Sequence, residues 1–218
     1  MPATIREQSD QLKAVAADRL PPEVLRVFDR SIEEFVAQGV PSDAVKTGNR
    51  LESFAPEDAT GRTVTLDQIL ETGPAVIAFY RGGWCPYCNL ALRTYQQELL
   101  PHLDSIGARL VAISPQSPNE SLSTAEKAAL SFTVLSDPGS RLARRIGIAF
   151  QQADDVLAAQ RRLGLDLAQV NAEGATHLPR PTVLIVDRDR VVRFVDVQPD
   201  YTARTEVAAI VAALSPMC

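Results

Sequence analysis

Cysteine and histidine are scarce in this chain, and their scarcity excludes one common class of site. Three cysteines and two histidines occur among 218 residues. A structural zinc site needs about four such ligands, usually two close pairs or one pair with histidines. The chain offers one close pair, a distant terminal cysteine and two isolated histidines. The composition therefore predicts no metal cofactor.

Long hydrophobic runs and basic clusters are also missing. The longest apolar runs, such as AVIAFY at 75–80, are far shorter than the roughly 20 residues that span a bilayer. The formal net charge is −5 without a basic cluster, which argues against a nucleic-acid surface. The N-terminus, MPATIREQSDQLKA, lacks the apolar stretch of a signal peptide. We therefore expect a cytoplasmic protein with no membrane and no nucleic-acid partner.

Residues 1–45 are predicted to form a helical arm. Apolar residues recur at helical spacing on both sides of the PP dipeptide at 21–22, which indicates two helices within residues 4–38. A polar stretch at 39–50 resembles a linker. The arm can pack against the main body, residues 46–218, or against a second copy, so a homodimer is an alternative.

Strands and helices alternate after the linker. A continuous apolar run at 74–81 predicts a buried central strand, 108–115 predicts a second buried strand and 132–137 a third strand. Residues 181–187 with 190–197 predict a hairpin. Residues 62–70 predict a short strand and helix, and 171–180 a loop. Further helices are expected within 86–104, 117–130, 138–148, 153–165 and 202–214. This alternation predicts an α/β fold with helices on both faces of the sheet.

Cys85 and Cys88 stand where a central strand ends and a long helix begins. A helix N-terminus presents unpaired N–H groups and partial positive charge, which stabilise a thiolate. Pro86 suits the first helical turn, where its missing N–H costs nothing. The spacing lets one sulfur attack and the other resolve the adduct, so redox chemistry is the first interpretation. Two buried cysteines acting as small hydrophobic residues are the alternative.

Five other residues are candidates for active-site support. Arg81 near the pair would lower a thiol pKa, Trp84 could shield the sulfurs, and Tyr87 could line the entrance. Pro181 before a strand suggests a cis proline that shapes the site, with Thr182 beside the sulfurs. Each also has an ordinary structural explanation, such as a solvated arginine or simple packing. Cys218, at the chain's end, is expected to be an idle thiol.

The motif WCPYC followed by a helix, with RPTVLIVD much later, resembles the thioredoxin superfamily. The segments FAPEDATGRTVTLDQIL, FYRGGWCPYCN, LVAISPQS and VLSDPGSRLARRIGI resemble the peroxiredoxins of the alkyl hydroperoxide reductase/thiol-specific antioxidant family, in a subgroup with a WCPYC motif. The resemblance covers about residues 48–214. It implies a thioredoxin-like fold, a central mixed sheet with helices on both faces, carrying an N-terminal helical extension.

This resemblance implies a thiol-dependent oxidoreductase. Its Cys-x-x-Cys pair would reduce hydroperoxides while cycling between dithiol and disulfide, without a metal or organic cofactor. An external dithiol donor such as a thioredoxin or glutaredoxin would restore the pair. A thioredoxin-like protein disulfide reductase with little peroxidase activity is the alternative enzyme. A redox sensor or binding module is the non-enzyme alternative.

The chain departs from the usual family motif, Pro-x-x-x-Thr-x-x-Cys. The family's attacking cysteine falls on Cys88, its threonine on Cys85 and its proline on Arg81. The arginine that assists the thiolate in the family falls on Pro181, with Arg180 beside it. Counted as in thioredoxins, Cys85 attacks instead. The sequence slightly favours Cys85, because the first cysteine of such a turn is usually the more exposed.

Overall fold

Strands and helices alternate through most of the chain, as the sequence predicts. In the computed structural model, which describes residues 3–215, the strands are β1 (Glu57–Asp58), β2 (Ala75–Phe79), β3 (Arg109–Ser114), β4 (Thr133–Ser136), β5 (Ala149–Gln151), β6 (His177–Pro179), β7 (Thr182–Val186) and β8 (Val192–Val197). The helices are α1 (Ile5–Arg19), α2 (Pro22–Gln38), α3 (Leu66–Ile69), α4 (Pro86–Thr94), α5 (Leu100–Ser105), α6 (Pro118–Ala128), α7 (Arg141–Arg145), α8 (Asp154–Arg162), α9 (Leu167–Val170) and α10 (Val207–Leu214).

A six-stranded mixed sheet in the order β1-β4-β3-β2-β7-β8 forms the centre. Strand β2 pairs in parallel with β3 and antiparallel with β7. Because successive side chains of a strand point to opposite faces, Val76 and Ala78 enter the core on one face. Ala75, Ile77 and Phe79 enter the core on the other. The predicted α/β, thioredoxin-like architecture is confirmed.

Several local predictions differ from the structure. The strand expected at 62–65 is wrong, since only Thr63 forms an isolated bridge, to Glu57 of β1. The loop expected at 171–180 contains β6, which pairs with the unpredicted β5 in a separate two-stranded ladder. The helix expected at 86–104 is interrupted by a π-helical turn (Tyr95–Leu99). The last helix begins at Val207, with Glu206 as its N-cap, so residues 202–206 form a loop.

The two predicted arm helices are present, and both pack on the main body. Ile5 of α1 is 1% exposed and belongs to the core on the α4 side of the sheet. Helix α2 packs against α8, and Arg30 pairs with Asp155 there. Among residues 3–215, no helix combines the length and apolar character needed to cross a bilayer.

Candidate active site

The loop between β2 and α4 places both cysteines at a helix N-terminus. Cys85 is the N-cap of α4 and Pro86 occupies the first turn. The carbonyl of Cys85 accepts hydrogen bonds from the amides of Cys88 and Asn89, each at 3.1 Å. The expected strand-to-helix junction is therefore present, with Cys88 in the first turn of the helix.

The diglycine before Trp84 is required by close packing of this loop. A Cβ on Gly82 would lie 2.3 Å from the Trp84 indole nitrogen, and Gly82 has a φ of +150° that favours glycine. A Cβ on Gly83 would lie 2.1 Å from Oγ1 of Thr124. The Gly83 amide also donates to Oε1 of Gln116 at 2.7 Å. The loop is thus fixed against α6 and the end of β3.

Both cysteines are reduced and buried, with exposures of 1% for Cys85 and 0% for Cys88. The expectation that Cys85 would be the exposed thiol is therefore wrong. Its side chain packs into the core beside Cys88, and each sulfur shifts the pKa of the other. The two sulfurs are close enough to act as one unit.

The sulfur of Cys88 also contacts an arginine that the sequence did not single out. Nη2 of Arg204 donates to Sγ of Cys88 at 2.9 Å, while Sγ of Cys85 lies 3.9 Å from the same nitrogen. Arg204 lies in the loop between β8 and α10, a stretch expected to be helical. In the sequence it is an isolated arginine near the chain's end, so no local pattern marked it.

The surroundings shift the pKa values of the two thiols in opposite directions. Burial alone would raise the pKa of Cys88, but the hydrogen bond from Cys85, the Arg204 charge and a backbone hydrogen bond from Arg81 hold it well below its usual value. Burial, donation to Cys88 and the charge on Cys88 raise the pKa of Cys85 well above its usual value. These surroundings favour the thiolate at Cys88 and the neutral thiol at Cys85.

The loop that carries Arg204 is anchored to the core. The hydroxyl of Tyr95, at the start of the π-helical turn, donates to the carbonyl of Thr205 at 2.7 Å. The hydroxyl of Thr205 donates to Oδ2 of Asp196 at 2.8 Å. Nη1 of Arg204 donates to the carbonyls of Tyr201 and Ala203 at 2.6 and 2.5 Å. These contacts hold the Arg204 guanidinium in place independently of its contact with the Cys88 sulfur.

Arg81 lies inside the site, between two aromatic rings. It is 4% exposed, with its guanidinium carbon 5.1 Å from the ring centroid of Trp84 and 4.1 Å from that of Tyr201. The Tyr201 ring meets Tyr87 edge-on at 6.2 Å. The Arg81 charge lowers the pKa of both cysteines. Arg81, Trp84 and Tyr87 therefore lie next to the pair, together with Tyr201, which the sequence did not indicate.

Arg180 contacts two aromatic rings, whereas Arg204 is the arginine that contacts the sulfurs. Its guanidinium carbon packs 5.1 Å from the ring centroid of Phe35 and 5.5 Å from that of Phe150. Pro181 follows a trans peptide bond, since the described residues contain no cis bond, and the expected cis proline is wrong. Cys218 lies outside the described residues.

Pro181 and Thr182 nevertheless reach the site. Thr182 pairs with Phe79 in the β2–β7 register, which brings the start of β7 beside the end of β2. Both residues line a cavity of about 10 Å³ that also borders Cys88 and Arg204. A space of that size holds about one water molecule. The cavity places room for a small molecule directly against the Cys88 side chain.

Comparison with known proteins places the chain in a family. It is 29% identical over 104 residues to the chloroplastic peroxiredoxin Q of Populus jackii, an alignment that covers 48% of each chain. The match thus spans about half the length of that relative. Among solved structures, peroxidoxin BcpB from Mycobacterium tuberculosis is similar, with a TM-score of 0.62, 22% identity and coverage of 79% of this chain and 96% of that one.

A peroxiredoxin-like protein from Aquifex aeolicus has a TM-score of 0.63 at 15% identity, covering 80% of this chain and 89% of that one. At such identities the two structures support the thioredoxin-like peroxiredoxin fold. The sequence profile of the AhpC/TSA family matches residues 47–195, more than half of the chain. On this evidence the chain belongs to the AhpC/TSA family.

Proposed function

We propose that this protein is a thiol peroxidase in which Cys88 attacks a hydroperoxide and Cys85 resolves the product. The observation that carries the proposal is the 2.9 Å contact from Nη2 of Arg204 to Sγ of Cys88. A fixed cation at this distance favours the thiolate, the form of cysteine that attacks peroxides. The choice of Cys88 reverses the slight preference of the sequence for Cys85.

The cycle balances with the two cysteines and an external dithiol. The Cys88 thiolate attacks one peroxide oxygen, the O–O bond breaks, and the leaving alkoxide or hydroxide takes a proton. Cys88 becomes a sulfenic acid. The Cys85 sulfur then attacks the Cys88 sulfur, releasing water and forming a disulfide. A dithiol donor reduces that disulfide by thiol–disulfide exchange and is itself oxidised.

The site supplies substitutes for the two activating groups implied by the family motif. The Cys85 thiol occupies the threonine position and donates to the Cys88 sulfur, as a hydroxyl would. Arg204 supplies the positive charge that Pro181 cannot. Arg204 lies beyond the family match at 47–195, so this chain would activate its thiolate from a different place in the sequence.

The sealed geometry favours a small oxidant. Both sulfurs are buried, and the cavity at Cys88 has the volume of about one water molecule. Hydrogen peroxide is closer to that size than a bulky organic hydroperoxide.

The electron donor we propose is a thioredoxin or glutaredoxin in a reducing compartment such as the cytoplasm. The cycle needs a dithiol that is kept reduced, and such donors are maintained there. The disulfide formed between Cys85 and Cys88 would be transient, not structural.

Single-turnover kinetics with cysteine variants tests the assignment. All proteins in this test carry Cys218→Ser, which removes the third thiol. The parent with only this change is compared with variants that also carry Cys85→Ser or Cys88→Ser. Each is mixed with hydrogen peroxide and a sulfenic-acid probe. We expect Cys85→Ser to react once and accumulate a labelled Cys88, and Cys88→Ser to remain unlabelled. The parent should form the disulfide and turn over with a dithiol donor.

Insulin reduction in the same series separates the alternatives. Labelling of Cys85 in Cys88→Ser, with none of Cys88 in Cys85→Ser, would reverse the proposed roles. Rapid insulin reduction with negligible peroxide consumption would establish the disulfide reductase. If the parent reacts with neither hydrogen peroxide nor insulin, a redox sensor or binding module would remain as the function.

A further inference from the structure

The N-terminal helix α1 is attached to the loop that carries Arg204. The carboxylate of Glu206 accepts hydrogen bonds from two backbone amides at the start of α1. Oε2 accepts from the Ile5 amide at 3.1 Å and Oε1 from the Arg6 amide at 2.9 Å. These amides have no partner within the helix, and the positive end of the helix favours a carboxylate. Glu206 is two residues from Arg204.

A second contact joins α1 to the beginning of the same loop. Nζ of Lys13 lies 3.7 Å from Oδ2 of Asp200. Asp200 in turn orders the loop, since its Oδ1 accepts from the amide and hydroxyl of Thr202 at 2.8 and 2.6 Å. Helix α1 therefore contacts the loop on both sides of Arg204.

The same helix packs on the element that carries the sulfurs. Helix α1 lies against α4, and the buried side chain of Ile5 shares a core with Cys88 and Tyr95. One helix thus contacts the loop that carries Arg204 and the helix that carries Cys88. Helix α1 and Glu206 both lie outside the family match at 47–195, as Arg204 does.

We propose that α1 is a positioning element for the thiolate, and that Glu206 is the positioning residue through which it acts. By tethering the loop to α1, which packs on α4, Glu206 holds the Arg204 guanidinium at the Cys88 sulfur. The proposal rests on the proposed roles of Arg204 and Cys88. Lys13 contributes less, because its ion pair with Asp200 is partly exposed and such pairs are weak.

The test titrates the Cys88 thiolate by its ultraviolet absorbance, in the Cys218→Ser background of the otherwise full chain. This readout does not depend on reagent access or on peroxidase turnover. We expect Glu206→Ala to move the absorbance midpoint to higher pH. Below that midpoint, the single-turnover reaction with hydrogen peroxide should slow by about 3- to 10-fold, as expected for loss of an ordinary hydrogen-bonded tether. Glu206→Gln, which retains one acceptor oxygen, should recover part of the shift.

Arg30→Ala is the matched control. It removes the pair with Asp155 that joins the arm to the main body at α8, away from the Arg204 loop, and should leave the midpoint unchanged. If Glu206→Ala does not fold, Glu206→Asp, which shortens the reach to the Ile5 and Arg6 amides, makes the same test.

A folded Glu206 variant with the parent's midpoint overturns the inference. An equal shift in Arg30→Ala also overturns it, because general loosening of the arm would then explain the effect. Arg204→Met separates the positioning role of Glu206 from the proposed role of Arg204 itself. If it moves the midpoint while Glu206 variants do not, only the positioning role fails, whereas an unmoved midpoint in Arg204→Met undermines the proposed function itself.

Discussion

Nη2 of Arg204 lies 2.9 Å from Sγ of Cys88, across 116 residues of sequence. The contact joins the first turn of α4 to a loop that lies beyond the family match at 47–195. It places a half-buried cation against the sulfur whose pKa is held low. The unequal pKa values of the pair, and the order of reaction that we propose, depend on this contact.

Replacing Arg204 tests its electrostatic contribution. Arg204→Met keeps an extended apolar side chain but removes the charge, so the pKa of Cys88 should rise. Near neutral pH, the rate constant with hydrogen peroxide should fall about 10- to 150-fold, as expected for loss of a hydrogen bond of about 1.5–3 kcal/mol to a charged group. The deficit should shrink as pH rises, because the thiolate then forms without Arg204. Arg204→Lys should recover part of the rate.

Stopped-flow fluorescence of Trp84, the single tryptophan of the sequence, can follow this reaction. Its ring lies beside Arg81 in the site. A pH–rate profile of Arg204→Met that coincides with the parent's would refute the role of Arg204.

The Cys85 thiol is predicted to act as a hydrogen-bond donor before it acts as the resolving group. Cys85→Ala removes the donor and should raise the pKa of Cys88. Cys85→Ser supplies a hydroxyl in the same place and should leave that pKa much nearer the parent's value. Titration of thiolate absorbance in the Cys218→Ser background compares the two. Equal midpoints in Cys85→Ala and the parent would show that the donated hydrogen bond is unimportant.

Gly83→Ala should distort the active-site loop. The added Cβ would meet Oγ1 of Thr124 at 2.1 Å, and overpacking of this kind lowers the free energy of unfolding by about 1–3 kcal/mol. Chemical denaturation measures the loss, and Thr124→Ala in the same chain should restore part of it. An undiminished stability in Gly83→Ala would contradict the close packing of the loop.

Asp58 should make a pH-dependent contribution to stability. Burial alone would raise its pKa, but hydrogen bonds from Thr60 and Arg62 lower it to about 2. The contribution is therefore present above the unfolded-state pKa of about 3.9 and is lost as pH falls through about 2. Asp58→Ala should lower the free energy of unfolding by about 1–3 kcal/mol near pH 6, with a smaller difference near pH 2.

Denaturation series at several pH values test this prediction. Glu57→Ala, at the exposed neighbouring position of β1, should show little difference at any of them. A loss in Asp58→Ala that stays constant down to pH 2 would show that the ionised carboxylate is not what stabilises this turn.

The central fold was predictable because its signals are local. Strand β2 is apolar throughout and β3 is apolar between Arg109 and Ser114, as expected for strands covered on both faces, and Pro86 marks the start of α4. By contrast, β5 and β6 are three residues each and exist through their mutual pairing, which no local pattern reveals.

The cysteine pair was predictable for the same reason, whereas its electrostatic environment was not. Arg81, Trp84 and Tyr87 are close to the cysteines in sequence, so their proximity in space follows. Arg204 reaches the site because the β7–β8 hairpin returns the chain to α4 and Tyr95 anchors the following loop. Arg180, adjacent to the inherited arginine position, is instead held by the rings of Phe35 and Phe150.

The partner of Cys88 is a guanidinium, and this determines how the reactivity of Cys88 should respond to acidification. A histidine in that place would change its own charge near neutral pH. Burial alone would lower the pKa of Arg204, but the adjacent sulfur charges raise it above its usual value, so the counter-ion persists wherever the protein is folded. A decline in reactivity on acidification would then report protonation of the sulfur rather than loss of its partner's charge.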